Sequence, residues 1–187
     1  MAMLKFAKKI AKWETIDVYN YGKMKRDFTY VDDIVEGIIK VMQRIPHKNE
    51  NGIPYKIYNI GNSKSEKLLD FVNVLKEELI EADILPKEFD LDSHIELLPM
   101  QPGDVELTYA DVSDLEKDFA FKPSTSLRTG LRFFAQWYKE YYKIHLQRWW
   151  ILNANKHNFG LILNRMYFIR CLKGILWNIF LNLNILL

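Results

Sequence analysis

Short strand-like segments set between longer helical patterns constrain this chain more than any other feature. Ile16-Asp17-Val18-Tyr19, Tyr55–Ile60 and Ile95–Leu98 have the alternation and the β-branched or aromatic content of strands. Around them the apolar spacing is helical. Met3, Leu4, Phe6, Ala7 and Ile10 face one way, with Lys5, Lys8, Lys9 and Lys12 on the other side. Asp33 followed by Glu36 reads as a capping box for a helix running to about Met42, with Ile34, Val35, Ile38, Ile39 and Met42 as its apolar stripe. Ser63 and Glu66 read as a second box, opening a helix with Leu68, Leu69, Val72, Leu75 and Leu79 along one side. Pro102-Gly103 marks a turn, a short helix is expected near 114–119, and a longer one spans about 126–142. That last helix is expected to bury Leu127, Leu131, Phe134, Trp137 or Tyr138, and Tyr141. The pattern is α/β, with strands too few and too separated for a complete doubly wound sheet.

Charge divides the 187 residues in two. Residues 1–147 hold 21 Lys and Arg against 24 Asp and Glu, a net of −3. Residues 148–187 hold Arg148, Lys156, Arg165, Arg170 and Lys173 and no acid. The basic balance is therefore a property of the tail, and the body has no concentrated basic face to hold nucleic acid. Gly174–Leu187 is uncharged but too short, and too interrupted by Asn178, Asn182 and Asn184, for a spanning helix of about 20 apolar residues. The tail is expected to be a non-native extension, with a membrane-surface anchor as the alternative. A single cysteine, Cys171, excludes an internal disulfide. The four histidines have no metal-ligand spacing. With no secretory pattern at the start, the expected location is cytoplasmic.

Six blocks in the body carry more specific information. They are Val18–Gly22, the run Arg26-Asp27-Phe28-Thr29-Tyr30-Val31-Asp32-Asp33, Tyr58-Asn59-Ile60-Gly61, Met100-Gln101-Pro102-Gly103-Asp104-Val105, Thr108-Tyr109-Ala110-Asp111 and Phe121–Leu127. In this order they resemble the carboxy-terminal part of nucleotide-sugar epimerases of the extended short-chain dehydrogenase/reductase family, over about 140 residues. Met-Gln-Pro-Gly-Asp-Val favours the UDP-glucuronate 4-epimerase branch. The resemblance implies an isomerase acting on a UDP-sugar with NAD in bacterial polysaccharide synthesis, and a homodimer in the intact family.

Four residues are candidates for binding a UDP-sugar. Arg26 matches the family's diphosphate-binding arginine, and a planar guanidinium suits paired phosphate contacts in a way that lysine does not. By resemblance, Tyr19 lies beside the uracil ring, and an ordinary buried strand tyrosine is the alternative. Gln101 replaces a second phosphate-binding arginine of other sugar epimerases, so it can hydrogen-bond without adding charge. Asp104 matches a residue near the ribose, the alternative being a turn aspartate that caps its own backbone. Asp32 and Asp33 are read as helix-start acids, and Arg128 and Arg132 as a solvated helix face.

Two features are missing from the sequence pattern. No G-x-G-x-x-G follows a strand. Tyr19–Lys23 and Tyr21–Lys25 have the Tyr-x-x-x-Lys spacing but straddle Gly22 just after a strand, outside the helix that this chemistry requires. The expected fold class is thus an incomplete extended short-chain dehydrogenase/reductase fold, mainly the substrate-binding lobe (1–147) without the NAD-binding Rossmann half. The chain is expected to act as a fragment inactive alone, with weak affinity for UDP-sugar and none for NAD. The alternatives are reassembly with a separately encoded Rossmann half, or a membrane-associated interaction protein.

Overall fold

The computed structural model describes residues 2–48 and 50–144. The 147/148 boundary and the tail lie outside them. Helix α1, Ala2–Ala11, buries Ala7, Ile10 and Ala11, as its apolar spacing requires. Strand β1, Ile16–Val18, follows, with Ile16 and Val18 fully buried. It pairs in parallel with β4, Ile95–Leu97, in the register Ile16↔Ile95. Bonds from Leu98 N to Val18 O and from Tyr21 N to Leu98 O, both 3.0 Å, carry the pairing past the strand ends.

A second pair joins β2, Lys25–Asp27, to β3, Ser65–Lys67, in antiparallel fashion. Helix α2 spans Val31–Met42, α3 Leu68–Glu81, α4 Ser113–Phe119 and α5 Leu127–Tyr142. The main core lies where α3 meets α5, α1 and β1, with Phe71, Leu75, Leu79, Leu131 and Ala135 buried. Phe28 stacks on Phe71 at 4.3 Å and so ties the chain after β2 to α3. A smaller core of Val112, Leu115 and Phe121 sits beneath α2 and α4. Lys56 and the Tyr58 hydroxyl, each 2.7 Å from Asp118, clamp the 55–60 segment onto α4. These bonds hold the Asp118 carboxyl below its usual range, Lys56 contributing most and Tyr58 next.

This architecture corrects the expected fold class. A parallel pair with helices between its strands, and α1 packed beside β1, is an α/β element of Rossmann type. Its first helix and strand, α1 and β1, lie in the amino-terminal part of the chain, so the fold is not reduced to a lobe from which that kind of element is missing. The sequence pattern concealed it because β1 finds its parallel partner far along the chain.

Local readings also change. The helix expected to start at Asp33 begins at Val31, with no side-chain cap, because the Asp33 carboxylate is bonded to Thr125 instead. Ser63 does not open a helix; β3 intervenes, and α3 starts at Leu68. Tyr55–Ile60 is in no strand ladder, its side chains being used against α4. In α5, Tyr138 is buried while Trp137 and Tyr141 are exposed. On α2 the packed side is the one with Gly37, where an added Cβ would lie 3.1 Å from both Ile60 and Phe121. Of its expected apolar stripe, Val35, Ile38, Ile39 and Met42 are exposed, and Ile34 is half-buried.

Candidate functional site

Arg26 sits in the middle of β2, between β3 on one side and residues 106–108 on the other. Lys25 N donates to Glu106 O at 2.8 Å and Thr108 N to Lys25 O at 3.1 Å, so the backbone around Arg26 is held on both edges. Strand alternation sends its side chain away from those of Lys25 and Asp27. The guanidinium donates from Nη2 to Asp104 Oδ1 at 3.1 Å, from Nη1 to Lys25 O at 3.0 Å and from Nη2 to Met24 Sδ at 3.3 Å. The side chains of Arg26 and Asp104 keep 22% and 34% of their exposure, so both are half-buried and still reachable.

Asp104 is placed by a turn in which its own nitrogen donates to Gln101 O at 3.2 Å. Gly103 takes φ +83 there, a left-handed value that a Pro-Gly turn needs glycine to adopt. Asp104 Oδ1 also accepts from Val105 N at 3.2 Å. Gln101 is exposed, and its carboxamide makes no hydrogen bond among the described residues. Arg26, Gln101 and Asp104 are therefore brought together. Tyr19 is half-buried and packs on the main core, at the end of β1, outside the bonds that join the other three.

Asp27 was given no role by sequence reasoning, yet it organises the surroundings of Arg26. Its carboxylate accepts from Asn62 N at 3.1 Å, Ser63 N at 3.0 Å and Ala110 N at 3.1 Å. Its own nitrogen donates to the Thr108 hydroxyl at 3.0 Å. Two chain segments, 62–63 and 108–110, converge on this one residue, which is why the motif blocks around Arg26, Gly61 and Thr108 lie together. Its place directly beside Arg26 in the sequence was the available signal.

Other candidates resolve differently. Asp33 bonds the Thr125 backbone nitrogen and hydroxyl. Arg128 is not simply solvated: it bridges Glu77 at 2.6 Å and the buried Glu78 at 2.9 Å. Beside it, a cavity of about 370 Å³ is lined by Glu78, Glu81, Ala82, Arg132 and Gln136, and includes none of the predicted site residues. Tyr19–Lys23 and Tyr21–Lys25 pass through a 3₁₀ turn, Asn20–Gly22, that leads into β2, so neither pair lies on one face of an α-helix. Among the described residues no cluster of His, Cys, Asp or Glu can hold a metal ion, and no helix is long and apolar enough to cross a membrane.

Comparison with known proteins places this geometry. The sequence model of the NAD dependent epimerase/dehydratase family matches residues 1–61. Protein CapI of Staphylococcus aureus is 42% identical over 154 residues, covering 76% of this chain and 43% of that protein. Over the matched part, the chain is homologous to the NAD dependent epimerase/dehydratase family. A probable UDP-glucuronate 4-epimerase of Rhizobium meliloti is 33% identical over 156 residues, covering 76% of this chain and 42% of the relative. The fold is shared with UDP-glucuronic acid 4-epimerase from Bacillus cereus in complex with UDP-glucuronic acid and NAD, with a TM-score of 0.61 at 23% identity over 76% of this chain and 40% of that one. The chain thus spans about two fifths of the length of the relatives it matches.

The family match corrects two further expectations. It begins at the amino terminus and runs through α1, β1, β2 and α2, the segment that includes the parallel strand β1. The chain is thus a partial homologue of a nucleotide-sugar epimerase that contains a Rossmann-type element. It is not a carboxy-terminal lobe confined to the UDP-sugar side of the site.

Several structures that share the fold hold NAD, the B. cereus complex among them. Among the described residues here, however, the glycines do not form a seat for its pyrophosphate. Gly22, the glycine next to the end of β1, has the place of its Cβ filled by Leu69 at 2.6 Å, so it serves packing. The turn from β2 to α2, Phe28–Tyr30, has no glycine. No described residue is therefore assigned to the cofactor.

Proposed function

We propose that this chain serves the NAD-dependent epimerisation of a UDP-sugar of the glucuronate class, and that the Arg26–Asp104 site receives the sugar nucleotide. The observation that carries this reading is a half-buried guanidinium fixed on a doubly held strand beside a reachable carboxylate. Arg26 supplies a charged fork for the diphosphate, which lysine would meet only as a point charge. Asp104 accepts hydrogen bonds from ribose hydroxyls, Tyr19 offers a ring to the base, and Gln101 adds an uncharged donor. NAD supplies the hydride chemistry of the reaction when bound. The relationship to a probable UDP-glucuronate 4-epimerase supports the choice of sugar, and a homodimer is the assembly to look for.

The test is a titration of the full chain with UDP and with UDP-glucuronate by calorimetry. Arg26→Gln should weaken both at least about tenfold, the worth of a hydrogen bond to a charged group. Arg26→Lys should recover only part of the loss. Equal affinity in Arg26→Gln and the unaltered chain would remove Arg26 from the site and with it this reading.

A further inference from the structure

We infer that Asp104 is an internal competitor for Arg26, and that this competition makes the site select a nucleoside diphosphate over bare diphosphate. The inference rests on the reading of Arg26 as the diphosphate-binding group and assigns Asp104 a second task there. Arg26 Nη2 is engaged by Asp104 Oδ1 at 3.1 Å, so an incoming diphosphate must take the place of a carboxylate already in contact. A guanidinium has five N–H donors. Nη1 bonds Lys25 O and Nη2 bonds Met24 Sδ as well as Asp104, while Nε finds no partner among the described residues. The guanidinium is thus anchored by groups that a phosphate need not displace, and its charge is met by the one carboxylate within ion-pair distance among the described residues.

Asp104 is arranged to let go. Its Oδ1 is shared with Val105 N, and its Oδ2 has no partner among the described residues. A half-exposed ion pair of this kind is weak, so opening it costs a ligand little. A ligand with hydroxyls next to its diphosphate gives the released carboxylate new partners and recovers that cost. Inorganic pyrophosphate has no such hydroxyls, meets the carboxylate's charge and recovers nothing. The turn through Gly103 keeps Asp104 close to Arg26, so released carboxylate and bound phosphate stay neighbours.

The experiment measures binding of inorganic pyrophosphate and of UDP to the full chain and to Asp104→Asn, Asp104→Ser and Arg26→Gln. Serine keeps an oxygen able to accept from Val105 N, so it guards against a collapsed turn in the asparagine variant. Removing the carboxylate should tighten pyrophosphate binding about threefold to fivefold, in line with the worth of a partly exposed ion pair. UDP should gain less or lose affinity, so the preference for UDP over pyrophosphate narrows. If pyrophosphate binds no tighter in either Asp104 variant while Arg26→Gln still weakens it, the competition is absent and the binding role of Arg26 stands. If Arg26→Gln leaves both ligands unaffected, the underlying reading fails and this inference fails with it.

Discussion

Asp33 holds Thr125 by two bonds, its Oδ2 accepting from the Thr125 backbone nitrogen and its Oδ1 from the Thr125 hydroxyl, each at 2.9 Å. Asn62 adds a longer contact, its Nδ2 donating to Thr125 O at 3.4 Å. The start of α2 is thereby tied to the residue before the Ser126 cap of α5, across most of the described chain. Asp33→Ala strips acceptors from two donors at once. The expected loss is about 1–3 kcal/mol of unfolding free energy, with Thr125→Val losing less because the backbone bond survives. Urea denaturation of the three proteins reads the difference. Equal midpoints for Asp33→Ala and the unaltered chain would show that the pairing adds no stability.

Gly61 is required by close approach and not by a turn, since an added Cβ would collide with Ala110 Cβ. The contact lies beside Asp27, whose Oδ2 accepts from Ala110 N. Gly61→Ala should cost about 1–3 kcal/mol, as overpacking does. Ala110→Gly in the same chain should restore most of the loss, since it removes the atom in the way. The coupling measured across this double-mutant cycle is the deciding quantity. Strict additivity would mean that the two residues do not meet.

What the sequence made legible follows from where the information lies. Helices α1 and α5 carry their apolar residues at helical spacing, and Ser126 caps α5 by accepting from Thr129 N, so pattern and structure coincide except at the exposed Tyr141. Strands β2 and β3 escaped because Lys25–Asp27 and Ser65–Lys67 are three-residue, wholly polar segments with no apolar alternation. Asp33 and Ser63 looked like caps because capping and tertiary bonding use the same side chains. Ser63 instead takes φ +53 and donates to Ala110 O at 2.7 Å. Arg26, Gln101 and Asp104 were legible as residues of a motif. Their pairing was not, because it depends on residues 106–108 running beside β2. The Rossmann-type pair β1–β4 was illegible for the same reason, its partners being distant in sequence.

Tyr138 supplies a prediction about pH. It is buried where α5 meets the main core, and burial, with a smaller contribution from Tyr142, pushes its phenol up to about 12. In the unfolded chain a tyrosine ionises near 10. Because the folded value is the higher one, the neutral form is favoured by the fold. The stability linked to this group is therefore intact below about pH 10 and is lost as pH rises from there through about 12. Ultraviolet titration of the folded chain should show one tyrosine ionising well after the exposed ones, and Tyr138→Phe should remove that late step. The same substitution should flatten the fall in urea midpoint between about pH 10 and 12, the interval between the unfolded and folded pKa. A late step that persists in Tyr138→Phe would assign the raised value to another tyrosine and leave the α5 packing without this linkage.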